Sequence, residues 1–85
     1  MTPREILAST DGSIVSLQVT IRDLAKRIAD YDQSLAGLDP ADSRRPAIEA
    51  LRKTEWQRLE ESQALLGQLV KARTQLQEAI EKIEG

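Results

Sequence analysis

Residues 14–38 read IVSLQVTIRDLAKRIADYDQSLAGL. Taken at alternating steps of three and four, they give Ile14, Leu17, Ile21, Leu24, Ile28, Tyr31, Leu35 and Leu38 with no polar interruption. That is an a/d heptad seam, a pattern that serves a helix packed along another helix. The rest of the chain reads as the means of supplying that second helix.

Upstream, Thr2-Pro3-Arg4-Glu5 has the form of a helix start. Thr2 can cap, Pro3 suits the first helical position, and Glu5 stands three residues after the cap. Ser9-Thr10-Asp11-Gly12-Ser13 then carries the chemistry of a break, with several potential caps and a glycine. The heptad phase argues against the break, because Leu7 falls on the seam seven residues before Ile14. One helix over about 3–37, continuous or mildly kinked at 9–13, is therefore expected at a cost of about 1 kcal/mol for Gly12. A true break at 9–13 is the alternative. Gly37 is expected to end the helix because glycine tolerates positive φ, and Asp39-Pro40 blocks continuation. Residues 38–43 read as a capped turn, with Ser43 a further cap candidate and Pro46 still inside the next first turn.

From about 44 to 84 the only helix breaker beyond Pro46 is Gly67, so this segment reads as one long helix. Its apolar residues spread over three adjacent columns. One is Ile48, Glu55, Ser62, Leu69, Leu76 and Ile83; the next is Leu51, Arg58, Leu65, Ala72 and Ala79; the third is Arg52, Leu59, Leu66, Arg73 and Ile80. A helix facing a single partner needs two columns, whereas a helix in a bundle needs about three. The first helix has a secondary column too, with Ala8, Val15, Ala29 and Ala36 interrupted only by Arg22.

The short link folds the two helices back antiparallel. Setting Leu35 opposite Ile48 makes facing residue numbers sum to about 83, so that Leu24 meets Leu59, Leu17 meets Leu66, and Glu55 lands beside Arg27. In this register Leu7 reaches Leu76, while Ile80 and Ile83 are expected at the rim. The fold class is thus all-α: a single-domain, coiled-coil-like antiparallel two-helix hairpin, expected to assemble into a helical bundle.

Composition narrows function mainly by exclusion. The chain has no His, Cys or Phe and a single Trp and Tyr, and its net charge of −2 comes from 14 acidic and 12 basic residues. They are interleaved rather than blocked. No nucleophile–base pair, phosphate-cradling loop or metal-ligand spacing occurs, and carboxylates on an exposed hairpin lack the desolvation that tunes an acid or base. An enzyme is not expected, nor is a cofactor. An acidic chain without a basic, aromatic-interleaved stripe is not expected to bind nucleic acid. No apolar run approaches the ~20 residues that span a bilayer, and no apolar region follows a basic N-terminal patch; a soluble cytoplasmic protein without a membrane role is expected.

What remains is a non-enzymatic interaction protein. It is expected to self-associate, with a dimer as first choice, and to bind a macromolecular partner as an inhibitor, adaptor or assembly component. The interface candidates are the apolar residues off the seam or beyond its end: Val15, Val19, Leu65, Val70, Leu76, Ile80 and Ile83. Trp56, at the edge of the apolar face, joins them as a residue type common at interface hot spots. The alternative is an oligomeric binder of a small anionic ligand such as a nucleotide. Arg44, Arg45, Arg52 and Lys53, clustered near a helix start, would be its site. The competing structural reading is that nearby Asp30, Asp32, Asp39, Asp42 and Glu49 neutralise that cluster. A third reading is a packing element inside a larger assembly, such as a virion or secretion apparatus.

Overall fold

The computed structural model describes residues 1–84. It holds two helices, α1 (Pro3–Ala36) and α2 (Arg45–Glu84), of 34 and 40 residues, with no strand among the described residues. They pack side by side as a hairpin of 65 × 18 × 14 Å.

α1 begins as the sequence requires: Thr2 is extended, its Oγ1 accepts the Glu5 N–H at 3.2 Å, and Pro3 follows. Helix α1 runs unbroken through 9–13. The hydroxyls that could have capped a new helix donate instead to carbonyls of their own helix, Thr10 to Ile6 at 2.8 Å and Ser13 to Ser9 at 3.1 Å. Turned back in this way, they relinquish the capping role. Leu7 and Thr10 are half-buried and Ile14 is buried, so contact along the seam outweighs the weak local propensity.

The turn corrects two expectations. Gly37 closes α1 with φ −87° and ψ −5°, in the right-handed region, and no described residue has positive φ. Its N–H still reaches the Gln33 carbonyl at 3.3 Å, and the Leu38 N–H reaches Leu35 at 3.2 Å, so the helix simply tightens and stops. Ser43 is not the cap found at α2. Asp42 Oδ1 accepts the Arg44 N–H at 2.9 Å, repeating the local bond by which Asp39 Oδ1 accepts from Ala41 at 2.8 Å. Arg45 then clasps the two helices, donating from Nη1 to the Leu35 carbonyl at 3.0 Å.

The seam has the expected register. Leu24 (5% exposed), Ile28 and Leu59 form the buried cluster, with Ile21 packed against it. Among the described residues Ile14 and Ile80 complete the buried apolar set, and no side chain is fully enclosed. Ile80 departs from expectation: at 6% exposure it lies within the seam, not at the rim. Thr2, Pro3 and Arg4 border the small cavity beside it, because in a register summing to 83 or 84 residue 80 faces the very start of α1.

The hairpin is far from globular. Its radius of gyration is 19.1 Å, against about 12 Å for a compact domain of this length. Its accessible surface of 6239 Å² exceeds by roughly 1,200 Å² that of a compact monomer of the same mass.

Gly67 sits in the middle of α2, and a methyl group there would meet nothing within 4 Å. Gly67→Ala is therefore expected to stabilise the protein by about 0.5–1 kcal/mol through backbone entropy alone. Urea denaturation checks this, and a loss of stability would show that the position is crowded in solution.

Candidate interaction surface

Four polar residues interrupt the α2 seam, and three of them are charged. Arg52 reaches Asp32 and Arg73 reaches Asp11, each at 2.5 Å, while Glu55 (8% exposed) lies 3.8 Å from Arg27 and 3.6 Å from Arg58. The Arg27–Glu55 pair is the one expected from the register. At the open end of the hairpin Arg4 pairs with Glu84.

These ion pairs make the two flanks of the hairpin unlike. Asp11 and Asp32 stand four residues after the seam positions Leu7 and Ile28, as Arg4 does by the same repeat, so their three bridges to α2 lace one flank from end to end. The opposite flank carries the Arg27–Glu55–Arg58 group near the turn and beyond it an open groove of about 550 Å³. Ser9, Ser13, Ser16 and Thr20 line it from α1, and Leu65 with Leu69 from α2.

Two exposed stripes border this groove. On α1 the stripe is Ile6, Ser9, Ser13, Ser16 and Thr20; on α2 it is Leu65, Gln68, Ala72, Gln75 and Ala79. Both repeat at the three-and-four spacing of the seam, and neither contains a charge, although 31% of the chain is charged. Charges return only beyond the ends of the stripes, with Asp23, Arg58 and Glu61 on the turn side and Lys82 at the open end. Sequence reasoning placed Leu65, Ala72 and Ala79 in one column but missed Gln68, Gln75 and the α1 stripe, because small hydroxyl and amide residues do not register on a scan for apolar columns. The signal available was the missing charge.

The interface candidates do not form one surface. Val15 (58% exposed), Val19, Trp56 and Val70 are exposed, but by helical phase Val15, Trp56 and Val70 fall on the ion-paired flank, and Val19 on the back of α1. Leu65 (47% exposed) stands alone among them beside the groove. Leu76 is half-buried in the seam, Ile80 is buried, and Ile83 is exposed at the open end. Ile6 and Leu51 are further exposed large apolar residues that the candidate set omitted.

The basic cluster is held by carboxylates. Arg44 pairs with Asp42 at 2.8 Å, Arg45 with Glu49 at 3.3 Å, and Arg52 with Asp32; Lys53 is exposed. Three of the four candidate anion-binding residues thus already have anionic partners. The Arg44 side chain, with its backbone N–H, holds the Asp42 carboxyl down to about 2 from the usual 3.8. The folded-state value lies below the unfolded one, so this contribution to the turn is complete above about 3.8 and is lost as pH falls through about 2. An NMR titration of the Asp42 carboxyl is expected to centre near 2 and to return most of the way to 3.8 in Arg44→Ala. A wild-type midpoint at the ordinary carboxylate value would mean the pair does not persist in solution.

Among the described residues no group of three or more carboxylates gathers closely enough to hold a metal ion, and no helix is long and apolar enough to cross a membrane. Comparison with family models, characterised proteins and solved structures returns no match to this chain.

Proposed function

We propose that this is a non-enzymatic helical interaction protein. It self-associates through its long hairpin and presents the remaining surface to a macromolecular partner, as an inhibitor, adaptor or assembly component. The observation that carries this reading is the thinness of the fold. Two helices bury five apolar side chains between them, none completely, and leave Ile6, Val15, Val19, Leu51, Trp56, Leu65 and Val70 in water. The roughly 1,200 Å² of surplus surface is of the order that a standard protein–protein interface removes, about 800 Å² per partner. Trp56, on the flank away from the groove, suits a partner's pocket.

The test is the dependence of the melting temperature on protein concentration. If folding is coupled to self-association, a hundredfold rise in concentration is expected to raise the midpoint by roughly 5–10 °C. A midpoint constant across that range removes the self-association half of the proposal. Retention of a partner from the native host, abolished by Trp56→Ala without change in melting, tests the other half.

A further inference from the structure

We propose that the uncharged groove flank is a two-fold self-association face, on which a second copy packs with its α2 antiparallel to α2 about an axis beside Ala72. This rests on the self-association reading above and names the surface and its symmetry.

In an isologous contact the same patch meets itself, so residues near the axis approach their own counterparts and any charge there meets its like. The stripes beside the groove are uncharged over about 20 residues of each helix, or roughly 30 Å. The opposite flank carries Asp11, Asp32 and Arg4 with their partners along its whole length. Across two helices the uncharged face measures on the order of 600 Å² in projection, close to the ~800 Å² per partner of a stable interface.

Flanking charges fix the orientation. Glu61 bounds the α2 stripe on one side and Lys82 on the other, and their midpoint falls between Lys71 and Ala72. With the long axes opposed, Glu61 comes over Lys82 of the second copy. With the long axes parallel it would come over Asp23 of the second copy, since the hairpin register sets Asp23 level with Glu61. Charge complementarity therefore selects the antiparallel arrangement.

Shape agrees with it. Reflection about Ala72 places Leu65 over Ala79 and Gln68 within one residue of Gln75, large against small and amide beside amide. On α1 the same operation places Ile6 over Ser16 and Ser9 over Ser13. Small residues at the centre let the backbones of the two copies approach closely.

Sedimentation equilibrium on the intact chain tests this with three proteins: wild type, Ala72→Arg, and Val70→Arg on the other flank. Ala72→Arg brings two like charges to the axis and is expected to raise the dimer dissociation constant by at least about 100-fold. Val70→Arg is expected to change it by less than roughly threefold, and Glu61→Lys to weaken association in a way that adding Lys82→Glu reverses. An unchanged constant in Ala72→Arg, in a wild type that does associate, overturns this face and leaves the self-association reading standing. A wild type that stays monomeric overturns both. If circular dichroism shows Ala72→Arg to be unfolded, Ala72→Cys decides in this cysteine-free chain. Mild oxidation should give a disulfide-linked dimer faster than with Val70→Cys, and equal or slower cross-linking overturns the proposal.

Discussion

Leu24→Ala is expected to cost about 2–4 kcal/mol, the largest loss from any single truncation in the chain. Leu24 is the most buried residue of α1 and lies in the cluster where both helices contribute enclosed side chains, against Ile28 and Leu59. The loss combines the transfer term of the deleted carbons with a cavity term. Because the hairpin is only 14–18 Å thick, neighbours can partly collapse into the gap, which keeps the value below the extreme of the known range. Leu59→Ala should cost a similar amount, and the double variant less than the sum, since the two side chains share one contact. A loss under about half a kcal/mol for Leu24→Ala would mean that the seam is not the core.

Glu55→Leu is expected to act in the opposite direction, stabilising the protein by about 1–2 kcal/mol. Glu55 is nearly as buried as the apolar core, yet its two arginine partners stand at 3.6 and 3.8 Å, and Oε2 has no hydrogen-bond partner. Attraction at that range does not fully repay the desolvation of a carboxylate, whereas leucine continues the seam between Arg52 and Leu59. What Glu55 contributes is register. Sliding the helices by one heptad would set it beside Thr20 or Ser34 instead of Arg27, and would set Arg73 beside Arg4 or Gln18 instead of Asp11. Only the observed register satisfies these intrusions together. Equilibrium denaturation measures the gain; a loss above about 1 kcal/mol would show that the ion pairs are closer in solution and more than offset the burial.

The seam was legible because a heptad repeat states its own partner. Ile14, Leu24 and Ile28 follow from periodicity, and the antiparallel register follows from a link too short for any other arrangement. That register already contained the Arg27–Glu55 pair. Ile80 is covered rather than at the rim because Thr2, Pro3 and Arg4 extend the cover of α1 beyond Leu7 without an apolar signal. At Gly37 and Ser43 the residue types suited the expected roles, but a tightened last turn and the neighbouring Asp42 supplied the same bonds more simply. The difference between the two flanks was hidden for another reason. The Arg73–Asp11 and Arg4–Glu84 bridges span 62 and 80 residues of sequence, so no local pattern reveals them, and the stripe opposite is defined by charges it lacks.

On the proposal above, this hairpin reaches its stable form by self-association. The mass in solution by light scattering at micromolar concentration tests that most directly. The expected value is twice the 9.5 kDa of one chain, or a higher symmetric multiple, in a sample that melts cooperatively. A mass of 9.5 kDa in such a sample would contradict it.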